Sequence, residues 1–280
     1  MKVTVYIPES SMRSPRKMVR EMLVDLGSSL GIARQLTLRD IRSQYRQSVL
    51  GILWAFIMPV ANSVTWIFLS MSGIVKLAST AIPYPLYALS GTLLWSVFIE
   101  SLNSPLNQTN AAKSMLSKIN FPREAIILSG VYQSLFNGFI KVILIVVVFM
   151  IVGIYPGWSI LFFPFAFLSL VLTGTAIGLM LTPVGLLYTD IGRFIQVAMQ
   201  FLMYLTPIVF PIPQSGWGKM LFNLNPLTQL FMVCRDVLSG VATNYLTGFF
   251  IVNAVVLLLL FISWIIYRAV MPIIIERMNT

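Results

Sequence analysis

The stretch LTGFFIVNAVVLLLLFISWIIY, from Leu246 to Tyr267, contains no Asp, Glu, Lys or Arg. A helix that crosses the hydrocarbon core of a bilayer needs about 20 mostly apolar residues, and this stretch supplies them. The whole chain of 280 residues is 58% hydrophobic and 10% charged, whereas soluble domains are about a quarter charged. A water-soluble fold of this size cannot hide so much apolar surface. The sequence therefore predicts an all-α membrane protein.

Further apolar stretches bring the predicted number of transmembrane helices to six. Their predicted ranges are Gly51–Val75, Tyr84–Leu102, Ile126–Ile154, Ile160–Leu181, Ile191–Phe210 and Leu246–Tyr267. They form a predicted transmembrane domain over 49–271, which follows an N-terminal segment, 1–48, and precedes a C-terminal tail, 272–280.

The distribution of Lys and Arg predicts the orientation. Nine of the 19 basic residues precede Gly51, and most of the others fall in loops on that same side. Because basic residues accumulate in cytoplasmic loops, both termini are predicted to be cytoplasmic. The net charge of +10 is accordingly interpreted as contact with anionic lipid, and nucleic acid is not an expected partner.

Three segments outside the spans carry structure of their own. The region from Met18 to Tyr45 has apolar residues at helical spacing and is too charged to span. It is predicted to be an amphipathic helix on the cytoplasmic surface, and Gly27 and Gly31 favour a break in it. The polar loop 104–123 has a short helical centre. The apolar segment 211–244 is predicted to form short external helices that dip into the outer leaflet as a gate.

The chain lacks the residues that catalysis and metal binding commonly use. It has no histidine and a single cysteine, Cys234, which leaves too few ligands for a zinc site and removes the commonest general base. Its best Gly-Lys pair, Gly218-Lys219, lacks the other residues of a phosphate-binding loop. We expect no catalytic residues, no metal and no cofactor in this chain.

Motifs spread along the chain resemble those of type-2 ABC exporter permeases for polysaccharides. The run RDIRSQYRQSVLGILWAFIMPV, from Arg39 to Val60, resembles the N-terminal signature of that family. Three later motifs agree: KINFPRE from Lys118, YLTP from Tyr204, and Asn225-Pro226 with Arg235 beyond it. The family often has an Arg-Asp pair before the fifth span, where this chain has Thr189-Asp190, so no role of that arginine is carried over.

The resemblance implies a homodimer in a bacterial inner membrane, with an ATP-binding subunit bound to each copy. ATP and Mg²⁺ then belong to that subunit, and the substrate is a lipid-linked polysaccharide such as O-antigen, used in lipopolysaccharide biosynthesis. The absence of an internal sequence repeat also favours a homodimer. An ABC-2 exporter of a small hydrophobic molecule and an ATP-independent secondary transporter stay open as alternatives.

Two candidate sites face the cytoplasm. The resemblance implies that the loop 104–123 rests on the ATPase and couples the two proteins. The candidate contacts of this coupling loop are Lys113, Met115, Lys118 and Phe121. Arg39, Arg42 and Arg46 share one face of the N-terminal helix. Their guanidinium groups suit phosphate oxygens, so they are candidates to hold a lipid-diphosphate carrier. The simpler interpretation, which we favour, is that they contact ordinary anionic lipid headgroups.

Aromatic residues of the first and fifth predicted spans are candidates to line a conduit. Sugar rings stack on aromatic faces, which lets a polymer slide without fixed hydrogen bonds. For any single residue, contact with lipid is the simpler interpretation. The candidates are Trp54, Phe56, Trp66, Phe68, Phe194, Phe201, Tyr204 and Phe210.

Two further candidates concern the membrane interior and the external segment. Glu100 and Lys141 lie at similar predicted depths, and their charges are costly in hydrocarbon, so an ion pair between them is predicted. The alternative is that each reaches its own headgroup region. In the external segment, the candidate gate residues are Trp217, Phe222, Pro226 and Arg235, for which an interfacial cap is the alternative.

Overall fold

The computed structural model describes residues 15–46, 50–72, 80–116, 122–188 and 190–278. Within these ranges every regular element is a helix, which confirms the all-α prediction. Short 3₁₀ turns at Gly51–Leu53 and Trp158–Phe162 lead into the second and sixth helices. The helices are α1 (Pro15–Arg46), α2 (Trp54–Met71), α3 (Tyr84–Ala111), α4 (Lys113–Leu116), α5 (Glu124–Ile151), α6 (Phe163–Leu187), α7 (Asp190–Tyr204), α8 (Gly216–Leu224), α9 (Pro226–Ser239) and α10 (Leu246–Met278).

Three stretches of the described residues are long and apolar enough to cross a bilayer: Glu124–Ile151, Trp158–Leu187 and Leu246–Ile274. They make the protein a multi-pass membrane protein. The other predicted spans are less clear-cut. Helix α2 has 18 residues, and the 15 residues of α7 extend about 22 Å, less than the roughly 30 Å of the hydrocarbon core. The count of six spans therefore stays a prediction.

The last helix is longer than its sequence predicts. Helix α10 runs on to Met278, past the expected end at Tyr267 and through Pro272. The side chains of Met271 and Ile274 are buried. The predicted end at Tyr267 is therefore too early, because the charge of Arg268 interrupts the apolar run while the apolar residues after it continue to pack.

Helix α3 lies at the centre of the bundle, where it packs against α2, α5 and α6. The close approach of α6 depends on two glycines four residues apart. A Cβ at Gly174 would lie 2.7 Å from the carbonyl oxygen of Phe98, and one at Gly178 would collide with that of Leu102. Small residues at this spacing let membrane helices pack backbone to backbone.

The N-terminal helix α1 packs along α5. It is continuous from Pro15 to Arg46, so the expected break at Gly27 to Gly31 is wrong. A glycine in a helix costs about 1 kcal/mol relative to alanine, which a long packed helix can absorb. The residues buried against the bundle include Met22, Ala33 and Thr37, whereas the leucines of the predicted apolar face at 23, 30 and 38 are exposed. Whether that second face lies on the membrane surface stays a prediction.

The segment after α7 forms two short helices, as its sequence predicts. Asn225 connects them and caps the second, because its Oδ1 accepts from the backbone N–H of Leu227 at 2.9 Å. Its Nδ2 donates to the carbonyl oxygen of Leu205 at 2.9 Å and to Oγ1 of Thr206 at 2.8 Å. A single Asn side chain thus starts α9 and ties it to the end of α7.

Candidate functional site

Three of the eight candidate conduit aromatics form one cluster. The ring centroid of Trp66 lies 5.0 Å from that of Phe210 and 6.1 Å from that of Tyr204. The cluster joins α2 to the end of α7, the two helices on which the conduit prediction depends. Of the other candidates, Phe56 is partly exposed, and Trp54, Phe68, Phe194 and Phe201 are exposed. These exposed rings are available to lipid, to a second copy or to a substrate.

Glu100 and Lys141 meet between α3 and α5. The ammonium of Lys141 lies 2.9 Å from Oε2 of Glu100, and Asn137, one turn earlier on α5, donates to Oε1 of the same carboxylate. Lys141 is buried and Glu100 is partly exposed. The positive charge is thus neutralised where α3 and α5 pack together, as a cation in an apolar environment requires. We call these three residues the lysine cluster.

Arg268 binds three carboxylates from two other helices. Its Nη1 donates to Oε1 of Glu124 at 2.6 Å and its Nη2 to Oδ2 of Asp25 at 2.7 Å. Oε2 of Glu21 lies 3.9 Å from Nη2. The planar guanidinium presents donors in a fixed fork, which suits several acceptors at once. These four residues, the arginine cluster, join α1, the start of α5 and α10.

Sequence reasoning missed the arginine cluster. In the sequence, Arg268 is only one of the basic residues that predict the orientation. The sequence does contain one signal, because Glu21 and Asp25 lie four residues apart and so place two carboxylates on one face of α1. Nothing in the sequence pairs that face with residue 268.

Arg235 is almost completely buried in the gate segment. Its Nη1 donates to the carbonyl oxygen of Pro207 at 2.8 Å and its Nη2 to that of Ile208 at 3.0 Å. Its guanidinium carbon lies 3.6 Å from the ring centroid of Tyr87 on α3. Both carbonyls belong to the non-helical residues that follow α7. Arg235 on α9 thus joins these residues to α3.

The remaining gate candidates differ in exposure. Phe222 is buried on α8, whereas Trp217 on the same helix is exposed. Pro226 is the first residue of α9, where the missing N–H of proline is tolerated.

Two of the three candidate arginines of the N-terminal helix form an exposed pair. Arg39 and Arg42, with Gln35, Leu38 and Ser43, line an open depression of about 470 Å³. The guanidinium of Arg39 is 2.8 Å from the carboxylate of Asp40, so part of its charge is already balanced. Arg46 is the last residue of α1, and its side chain lies outside the described residues.

The coupling candidates fall at the edge of what is described. Lys113 and Met115 belong to the single-turn helix α4, which follows α3 directly. Lys118 and Phe121 lie outside the described residues. The loop ends at Glu124, which is a member of the arginine cluster.

These features define a class of protein: a helical, multi-pass membrane protein with charge clusters and aromatic groups between its helices. The chain belongs to the ABC-2 type transporter family, whose profile matches residues 33–239. The matched range includes Arg39, Arg42 and Arg46 of α1, the lysine cluster and most of the segment 211–244, and it ends at the last residue of α9.

Individual relatives extend the match over most of the chain. It is 26% identical over 235 residues to an O-antigen export system permease protein RfbA from Klebsiella pneumoniae, with 80% of this chain and 86% of the relative covered. It is 24% identical over 203 residues to the O-antigen export system permease protein RfbA of Myxococcus xanthus, covering 71% and 77%. It is 25% identical over 244 residues to the polysialic acid transport protein KpsM of Escherichia coli, covering 83% and 91%.

Proposed function

We propose that the chain is the permease subunit of an ABC transporter that exports a lipid-linked polysaccharide across the cytoplasmic membrane, with O-antigen as the first candidate. The observation that carries the proposal is the family match over residues 33–239. The relatives of the chain include a permease protein for the export of O-antigen and a transport protein for polysialic acid, and these support a polysaccharide as the substrate class. In this proposal the chain provides the passage and hydrolyses no ATP.

The proposed assembly is a homodimer with one ATP-binding subunit on each copy. Six helices of each chain cross the membrane, and both termini are cytoplasmic. The exposed aromatics of α2 and α7 support this arrangement, because large rings at the surface of one copy are available to the other copy or to a glycan between them.

The arginine cluster supports a coupling role for the N-terminal helix and the loop 104–123. The loop ends at Glu124, whose carboxylate binds the same guanidinium as Asp25 of α1. A movement of an ATPase beneath the loop therefore reaches α1 and α10 through short, charged contacts. Lys113, Met115, Lys118 and Phe121 are the proposed contacts of the loop with the ATPase.

The depression at Arg39 and Arg42 supports a contact with an anionic headgroup. Both side chains are exposed, and guanidinium groups bind phosphate in a bidentate manner. Ordinary anionic lipid and the diphosphate of the glycan carrier share this chemistry. A charge reversal at Arg42 that leaves export unchanged would remove the carrier from consideration.

A complementation experiment tests the proposal. The full chain is expressed together with its partner ATPase. The host lacks its own O-antigen permease, and its glycan synthesis is intact. We expect surface glycan to return, intracellular lipid-linked glycan to fall, and the ATPase to co-purify after mild extraction. The matched control is an ATPase that binds ATP without hydrolysing it, which should abolish export.

Other results identify the alternatives. Recovery of the chain without an ATPase would favour a secondary transporter. A co-purifying ATPase together with unchanged glycan, but with efflux of a small hydrophobic dye, would favour an ABC-2 exporter of small molecules.

A further inference from the structure

A cavity of about 260 Å³ lies beside the lysine cluster, among α2, α3, α5 and α7. Its wall includes two indole rings, Trp54 and Trp95, and three polar side chains, Thr92, Ser96 and Lys141. Small-ligand sites begin at about 300 Å³. The cavity is therefore of a size for one ring, and it combines aromatic surface with hydrogen-bonding groups.

The ammonium of Lys141 has donors to spare. It carries three N–H groups, and among the described residues Glu100 is the only acceptor within hydrogen-bonding distance. The lysine side chain is 7% exposed, so it is largely cut off from solvent. A buried donor without an acceptor is costly. A ligand oxygen in the cavity would supply an acceptor that the protein does not.

The two tryptophans differ in a way that suits a ligand. Trp95 is buried and packs against Phe98 and Phe231, with ring centroids 5.2 Å and 5.7 Å away, so its position is fixed. Trp54 is half exposed, which leaves indole surface free. The apolar C–H face of a sugar ring covers such a surface while its hydroxyl groups reach the polar wall.

The charge of the cavity selects the kind of sugar. The carboxylate of Glu100 lies 2.9 Å from the ammonium and balances it. A carboxylate or phosphate on the ligand would compete with Glu100, whereas a hydroxyl oxygen accepts from a remaining N–H without disturbing the pair. The geometry thus favours a neutral ring.

We propose that this cavity is a subsite for one neutral sugar ring of the transported glycan. Lys141 donates to a ring hydroxyl, Trp54 covers the apolar face, and Glu100 and Asn137 hold Lys141 in place. The proposal rests on the proposed function for the origin of the sugar. It gives Lys141 a role in binding, whereas an ion pair alone would only stabilise the fold.

Export by charge-removing variants separates these two roles. In the full chain with its ATPase, Lys141→Met should lower abundance, and the double change Lys141→Met with Glu100→Gln should restore it because no unpaired charge is left. If Lys141 binds sugar, the double variant should still export about tenfold more slowly, the effect of one lost hydrogen bond to a charged donor. A double variant with normal abundance and normal export would overturn the proposal. Lys219→Met, at an exposed lysine, is the matched control.

A labelling assay tests binding without transport, and it covers the case in which the double variant fails to fold. A Ser96→Cys change places a thiol in the cavity wall, and Cys234→Ser removes the native thiol. The purified full chain in lipid nanodiscs is labelled with a small maleimide, with and without neutral glycan released from its carrier by mild acid.

We expect the neutral glycan to slow labelling several-fold, and the added Lys141→Met change to abolish that protection. No protection, or stronger protection by oligosialic acid than by neutral glycan, would overturn the proposed subsite. Failure of the proposed function has a different signature. In that case the unaltered chain with its ATPase exports no glycan, whatever the labelling result.

Discussion

The arginine cluster and the lysine cluster neutralise a cation between helices in opposite ways. Arg268 contacts three carboxylates on two other helices, whereas Lys141 contacts one carboxylate, which also accepts from the amide of Asn137. The guanidinium donates to carboxylates of the protein and joins α1, α5 and α10. The ammonium has N–H groups beyond the one that Glu100 accepts, and it borders a cavity. The number of protein acceptors around each cation therefore separates a contact that holds helices together from one that can also bind a ligand.

Removal of the guanidinium should have the largest effect. In Arg268→Ala three acidic groups lose their common cation, and one of them, Glu124, is buried. The other two contacts are partly exposed, so the cost should lie between that of an exposed pair and the roughly 3–5 kcal/mol of a fully buried one. We expect little folded protein, measured as the monodisperse fraction after extraction and as the thermal midpoint. Arg193→Ala is the control, because Arg193 and Asp190 form an exposed pair and exposed pairs contribute little. An equal loss in both variants would refute the structural role of the cluster.

Loss of the ammonium should cost less. Lys141→Met leaves one carboxylate, and the side chain of Glu100 keeps 28% exposure, so water can reach it. We expect a fall in the thermal midpoint smaller than that of Arg268→Ala, with the effect reversed by a second change, Glu100→Gln. A fall as large as that of Arg268→Ala would show that both clusters act as structural clamps and would remove the contrast between them.

A change of cation geometry should have an intermediate effect on coupling. Arg268→Lys keeps the charge but cannot serve Glu124 and Asp25 with the same fork. We expect the protein to fold, with an ATPase rate that no longer rises when glycan is supplied. Normal coupling in this variant would show that charge alone, without the fork, is sufficient.

The loss of stability on changing each acidic partner of Arg268 should depend on the distance of that carboxylate from the guanidinium. Glu124→Gln removes the negative charge at the 2.6 Å contact, and Glu21→Gln removes the one at 3.9 Å, where the glutamate side chain is 35% exposed. We expect a clear drop in the thermal midpoint for Glu124→Gln. For Glu21→Gln the drop should be small, because an exposed pair contributes at most about 1 kcal/mol of stability. The reverse order would mean that α1 is held mainly through its first turns.

Much of the fold can be predicted from the chain, for a simple physical reason. Long runs without charges have to be helices in lipid, because only then are all backbone groups paired. For the same reason α5 and the start of α10 lie close to where hydropathy places them. The end of α7 is predicted less well, since it stops at Tyr204 while the apolar sequence continues to Phe210. There Arg235 supplies the hydrogen bonds that the helix gives up.

The contacts between distant residues are harder to predict. Glu100 and Lys141 could be paired because both stand in apolar surroundings at similar depth. Arg268 directly follows the predicted end of the last span at Tyr267, where a charge needs no special partner, so the sequence does not predict its three carboxylates. The buried face of α1 is also hard to predict, because its leucines form the more apolar stripe, whereas Met22, Ala33 and Thr37 are the residues that are buried.

The sequence by itself determined that lipid surrounds much of this protein, that it is helical, and that short helices follow α7. Each of these depends on composition or on neighbours a few residues away. Only the tertiary structure decided that Arg268 joins α1 to α10 and that Lys141 borders a cavity. Helical periodicity predicts which residues share a face. Packing decides which helix that face contacts, and at Gly174 and Gly178 the missing side chains let the backbone of α3 come close.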